Sequence, residues 1–333
     1  MRSLISVLLL VAACDCAGDE AEPEAPAAEP ADLLAYFPSA PGDRWRYEAA
    51  GEKATRAISF ADDVDAVPRR VVMTGGDLMG ARYHEVSDEG VFLVTPSGEA
   101  IGTLLDAPVQ EGHEWSYVFG DVGCEARYVS VSRSIEVAGL AYEACLEVER
   151  TCTHPAGTPF PVETAEIHTE TYCPGVGRVR EHTRIEPPPP GSDSAERTDE
   201  LVFYRVLNSP APVVPEAFGC DHFLLVDTDV RAACGRELPR LTEVDLEEGC
   251  RMTFGAQNAP AITVTGQRFA EDATQADLDE LQAANAALVG ADDAVSHGYL
   301  QERHAIAVAG PPGLCDAEKL DRLGPLLQSL VRR

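Results

Sequence analysis

Tyr142-Glu143-Ala144-Cys145-Leu146-Glu147-Val148-Glu149 alternates acidic and largely apolar side chains with a period of two. Successive side chains of a strand point to opposite faces, so the stretch predicts a half-buried β-strand with Cys145 as the one apolar residue on its glutamate face. Working outward, Arg69 to Met73, Arg82 to Val86, Val91 to Thr95, Tyr128 to Val137, Ala165 to Tyr172, Arg178 to Ile185 and Leu201 to Val206 read as further strands. Asp88-Glu89-Gly90, Pro96-Ser97-Gly98 and Ala138-Gly139 supply turn residues. No helical periodicity of comparable length competes, so residues 34–208 are expected to be an all-β antiparallel domain. The proline run Pro187 to Pro190 is an exposed loop within it, because proline cannot donate to a ladder.

Asn208-Ser209-Pro210-Ala211-Pro212-Val213-Val214-Pro215 reads as a stiff linker and places a domain boundary at residues 209–216. Beyond it the pattern changes. Asp227 to Ala233 is a short helix closed by Gly235, and Cys250 to Phe254 and Ala261 to Thr265 are strands. Gln275 to Leu288 is an amphipathic helix with Leu278, Leu281, Ala284 and Leu288 on one stripe. Val295 to Leu300 and Ala305 to Val308 are strands around a turn near Glu302, and a last helix opens at Asp316. The order α, β, β, α, β, β, α predicts that residues 217–333 form an α+β domain, an antiparallel sheet covered by helices.

The other end of the chain addresses it. Arg2 is followed by a short apolar run from Leu4 to Val11, too short for the ~20 residues of a membrane span. Val11-Ala12-Ala13-Cys14 resembles the lipobox of bacterial lipoproteins, which implies that residues 1–13 are a signal peptide and that Cys14 is lipidated with diacylglycerol and fatty chains such as palmitate. Several acyl chains give stable residence in a lipid bilayer. Residues 14–33 are almost wholly Ala, Glu, Asp and Pro, a composition that predicts a disordered acidic tether. The 333-residue chain carries 26 basic and 56 acidic residues, a formal charge of -30, and such a surface repels phosphate backbones. Nucleic acid is excluded as a partner.

Phe37-Pro38 with Gly42-x-x-Trp45-x-Tyr47, Ala138-Gly139-x-x-Tyr142-x-x-Cys145-Leu146, and Glu170-x-Tyr172-x-Pro174-Gly175-Val176-Gly177-x-Val179-Arg180 resemble motifs of the TapB-like β-rich proteins of bacterial envelopes. The resemblance implies a strongly curved sheet or half-barrel and brings no catalytic residues. Trp45 and Trp115 are expected in its core. Cys220, Ala232-Ala233-Cys234-Gly235 and Cys250 are similar to small sensor-like lipoprotein domains with a PsbP-like α/β/α sandwich.

Besides Cys14 and Cys16, four cysteines fall between positions 124 and 173 and four between 220 and 315, as two disulfide-stapled domains in an oxidising compartment would have them. If one turn centres on Ala138, Cys124 lies opposite Cys152; if the next centres on Pro159, Cys145 lies opposite Cys173. That register sets Leu146 and Val148 opposite Tyr172 and Glu170 and leaves Ile167 on the other face, a tension that a bulge or a different pairing would resolve. In the second set Cys234 with Cys250 and Cys220 with Cys315 are favoured among three connectivities.

Catalytic chemistry finds no home. There is no Gly-x-Ser-x-Gly elbow, and no cysteine pair or histidine pair has zinc-ligand spacing. Gly75-Gly76 and Gly175-Val176-Gly177 read as turns, not phosphate cradles, and Asp227-x-Asp229 and Asp277-x-Asp279 lack the glycine and terminal glutamate of a calcium loop. His113-Glu114 is no acid/base pair, since neighbours in a strand diverge. The expectation is a non-enzymatic, cofactor-free lipoprotein on the periplasmic or outer-membrane face of a bacterial envelope, displaying two disulfide-stapled domains that bind an envelope protein or a small apolar ligand. The alternative is a carrier or chaperone whose curved sheet holds a lipid or other apolar ligand.

Overall fold

Strand β8 (Val122–Val137) and strand β9 (Leu140–His154) are joined by Ala138 and Gly139 at φ 50° and 79°. Two left-handed residues in succession give a tight turn whose twist matches that of the strands, so the longest hairpin of the protein starts from a local preference. Strand β10 (Thr164–Cys173) then runs back along β9 with Val148 opposite Glu170 and Leu146 opposite Tyr172. Ala144, at φ 54°, breaks the alternation within β9, and Tyr142, Cys145 and Leu146 are all buried. The glutamate-face cysteine thereby reaches the interior.

The protein is described here by a computed structural model covering residues 32–40, 43–50, 52–59, 71–76, 79–95, 97–157, 160–188, 195–206, 218–220, 225–236, 238–255, 262–290 and 294–315. The leader with Cys14, the tether with Cys16, the linker at 209–216 and the helix expected from Asp316 lie outside the described residues.

After a one-turn helix α1 (Leu33–Tyr36) come β1 (Arg44–Ala49), β2 (Glu52–Ser59), β3 (Val71–Gly76), β4 (Met79–Ser87), β5 (Gly90–Val94), β6 (Ala100–Asp106) and β7 (Glu114–Phe119), then β8 to β10, β11 (Gly177–Glu186) and β12 (Glu196–Arg205). All pair antiparallel in the order β6-β5-β4-β3-β2-β1-β12-β11-β10-β9-β8-β7, two six-stranded meanders joined through β1 and β12. Consecutive strands β6 and β7 are thus the two ends of one sheet. They meet through side chains: Trp115 Nε1 donates to Thr103 O at 3.3 Å, Arg150 Nη2 to Leu104 O at 3.0 Å, and Tyr128 Oη to Asp106 O at 2.6 Å while accepting from Asp106 N at 3.1 Å. The sheet therefore curls until its ends touch without closing a barrel. Gly75 and Gly76, expected in a turn, end β3 and are laddered to Ala57 and Arg56. Gly175-Val176-Gly177 does form a turn, onto which Trp45 Nε1 bonds through Val176 O at 2.6 Å.

The second sheet follows α2 (Asp227–Cys234), which ends on Gly235 at φ 70°. Its strands β13 (Arg240–Leu246), β14 (Gly249–Phe254), β15 (Ile262–Arg268), β16 (Val295–Gln301) and β17 (His304–Gly310) are ordered β13-β14-β15-β17-β16, with α3 (Gln275–Val289) between β15 and β16 in the chain. Strand β13 was not expected. It is an edge strand with Leu241 and Val244 exposed, so it carries no inward stripe for a period to betray. Helix α3 keeps Leu278 and Leu281 of the expected stripe against the sheet, but its second half departs from it: Asn285 is buried, whereas Ala284 and Leu288 are exposed. The buried amide donates to Ala307 O at 2.8 Å and accepts from Thr265 Oγ1 at 2.6 Å, a better use of that face than another leucine without partners for these groups. Asp229 and Asp277 are the third residues of their helices, and their carboxylates accept from the backbone N–H of the preceding N-cap residues, Val226 at 3.1 Å and Thr274 at 2.8 Å.

Candidate functional site

The inward face of the curled sheet carries a charged cluster on β9 to β11 beside the buried Leu146, Val148 and Tyr128. Along β10, Glu166, His168, Glu170 and Tyr172 stand at alternate positions and so share one face. Register places Arg150 of β9 opposite His168 and Glu181 of β11 opposite Glu170. Arg150 Nη1 lies 2.8 Å from Glu170 Oε2, and Arg178 Nη1 lies 3.3 Å from Glu170 Oε1 and is also paired with Glu181. His168 bonds Glu181 Oε1 through Nδ1 at 3.1 Å and faces Glu166 Oε1 at 3.4 Å through Nε2, and His154 bonds Glu166 Oε2 at 3.2 Å. Tyr172 Oη donates to Glu170 Oε1 at 3.0 Å, and Arg178 lies over the Tyr47 ring at 5.2 Å.

These groups hold one another's charge. Burial by itself would discharge His168, but the bonds to Glu166 and Glu181 outweigh it and push the imidazole up to about 9. Burial would likewise raise Glu181, and Arg178 with His168 draws it down to about 2. Glu166 is held low chiefly by its hydrogen bond from His168. Arg150, Arg178 and protonated His168 thus balance Glu166, Glu170 and Glu181. Chemically the arrangement is a mutually bonded lattice of balanced charges that ties together three strands, β9, β10 and β11. Among the described residues no group of three or more His, Cys, Asp or Glu is placed to hold a metal. The sequence pattern did not single these residues out as a group; the signal available was the charged period-two run Glu166-x-His168-x-Glu170 on a strand.

His113, set beside Glu114 in sequence, bonds instead to Asp106 Oδ2 at 2.8 Å and stacks near Trp115 and Tyr128, while Glu114 faces solvent. Trp45 is buried and Trp115 half-buried.

Cys124 is bonded to Cys152 and Cys145 to Cys173, each pair drawn from neighbouring strands. The second set corrects the favoured pairing: Cys220 is bonded to Cys250 and Cys234 to Cys315. Strand β13 is the reason. Inserted between α2 and β14, it separates Cys234 from Cys250, while Asp245 of β13, opposite Cys250, accepts from the Cys220 backbone at 2.9 Å and brings that cysteine over the ladder.

On the solvent face of β7 to β9 is a groove of about 560 Å3 lined by Glu114, Ser116, Glu125, Arg127, Glu149 and Thr151, with Trp115 and Ala126 beside them. Register runs Glu114, Arg127, Glu149 in one row and Ser116, Glu125, Thr151 in the next. Arg127 is 2.8 Å from Glu149.

No family model and no curated protein matches the chain. Among solved structures it is similar to a protein of Bacteroides fragilis inferred to be exported and described as YmcC-like in fold, at 13% identity over 51% of this chain and 98% of that one, with a TM-score of 0.34. It is similar to a protein of Parabacteroides distasonis inferred to be a lipoprotein, at 13% identity over the same shares and a TM-score of 0.33. A third likeness is to MucB, at 11% identity over 88% of this chain and 93% of that one, with a TM-score of 0.21.

Proposed function

We propose that the chain is an envelope lipoprotein, tethered to a bacterial membrane by acyl chains on Cys14, whose two disulfide-stapled domains act as a non-enzymatic display and binding module. The observation that carries this reading is that all eight cysteines from Cys124 to Cys315 are joined in four bridges. Disulfides persist outside the reducing cytosol, and bridges in every position of the folded part support export. Of the two cysteines outside the bridges, Cys14 and Cys16, it is Cys14, directly after Val11-Ala12-Ala13, that this reading makes the acceptor for lipid, with the folded part on the periplasmic or outer-membrane face.

Display is favoured over lipid carriage by the ion-paired cluster on the inward face. A hydrocarbon tail there would lie against Arg150, Glu170, Arg178 and Glu181, and displacing their partners costs several kcal/mol per ion. Apolar ligands favour mostly apolar walls.

Fractionation with metabolic labelling by an alkyne fatty acid tests the anchor. The native chain is expected in the membrane fraction carrying label, and Cys14→Ser without label and released from the membrane. Retention of Cys14→Ser in the membrane, or absence of label on the native chain, overturns the reading.

A further inference from the structure

We propose that the solvent face of β7, β8 and β9 is a docking surface for an extended basic segment of a partner protein. The proposal deepens the display reading by naming what is displayed. Charge complementarity carries it. Across the groove three carboxylates, Glu114, Glu125 and Glu149, face the single guanidinium of Arg127, and Arg127 is already engaged by Glu149. Among the described residues Glu114 and Glu125 have no ion-pair partner, although they stand on diagonal positions of adjacent strands where like charges repel. A strand carrying two cations relieves that repulsion.

The relief of the surface fits a strand better than a compact ligand. Ser116 and Thr151 are short, and a Cβ added at Gly123, in the next row, would meet nothing within 4 Å. Apolar residues bound the acidic patch along the hairpin: Val118, opposite Gly123, is 68% exposed, and Val129 is 38% exposed. Val129 lies six residues beyond Gly123, which is about 20 Å of strand. A seven-residue extended segment spans that length with alternate side chains on one face, so two outer apolar residues and two inner lysines address the valines and the carboxylates together.

The test uses the full-length chain in detergent and the labelled peptide Val-Thr-Lys-Thr-Lys-Thr-Val, read by peptide anisotropy and by the emission of Trp115 at the groove. Saturable binding is expected, weakened roughly tenfold or more by Glu114→Gln with Glu125→Gln and by about 0.5 M salt. Val118→Ser is expected to weaken it by roughly threefold. Substituting glutamate for both lysines of the peptide is expected to abolish binding. The proposal is overturned by no saturable binding below about 1 mM, by equal affinity of the double variant, or by equal binding of the acidic peptide. Since the Cys14→Ser fractionation is read separately, failure of docking and failure of the anchor are distinguishable.

Discussion

His168 shows how a residue that sequence reading passes over becomes central once its neighbours are known. Its imidazole is held up to about 9, above the roughly 6.5 of an unfolded histidine, so its contribution is complete below about pH 6.5 and is lost as pH rises through 9. Glu181, held down to about 2, contributes above its unfolded value of about 4.3 and loses that contribution as pH falls through 2. Urea unfolding should therefore give a plateau between about pH 4.5 and 6.5 and an alkaline decline on the order of 2–3 kcal/mol by pH 9. In His168→Gln that alkaline decline should shrink; an unchanged decline would assign it to another group. Asn285 makes the same point without charge. Both side chains are polar, and polarity in a sequence is read as exposure, whereas here the bonding partners come from strands far along the chain.

At the scale of elements, what could be read early was what local rules determine. Ala138-Gly139 sets the β8–β9 turn, and counting from a turn centred on Ala138 put Cys124 opposite Cys152, the pairing that the register shifts along the hairpin produce. Helix α2 closes on Gly235 because glycine alone adopts φ 70° without cost. Edge strand β13 and the burial of Asn285 in α3 escaped, since neither is set by its own hydrophobic pattern. The α3 contact is specific in shape: a Cβ on Gly298 would lie 2.5 Å from Leu278 Cδ1. Gly298→Ala should cost about 1–3 kcal/mol in thermal unfolding through overpacking, and Leu278→Ala in the same background should recover part of the loss. The seam between β6 and β7 depends on Tyr128, whose hydroxyl both donates to and accepts from Asp106. Tyr128→Phe leaves that edge unsatisfied and should lower stability by about 1–3 kcal/mol, with amide exchange rising first along β6.

On the scale of the whole molecule, ion pairs bridge the two sheets. Arg44 of β1 and Asp229 of α2 are 2.8 Å apart with both side chains fully buried, and Arg46 lies 3.0 Å from Glu243 of β13. The contacts gather residues 32–333 into one unit. A buried pair broken on one side leaves an uncompensated charge, so Asp229→Asn should destabilise by about 3 kcal/mol or more in urea, and Arg44→Met with Asp229→Leu by less than the single change. The sequence announced a linker between two cysteine sets, and nothing in a linear pattern reveals that an arginine before it will seek an aspartate after it.

The central claim is that this is an exported, oxidised body hung from an acylated cysteine, and mass spectrometry of the protein isolated from bacterial membranes under thiol-trapping conditions tests it most directly. The account predicts a chain beginning at Cys14 with the added mass of its acyl groups, and non-reducing peptides linking Cys124 to Cys152, Cys145 to Cys173, Cys220 to Cys250 and Cys234 to Cys315. A chain that keeps residues 1–13, with alkylated thiols at those eight positions, would contradict it.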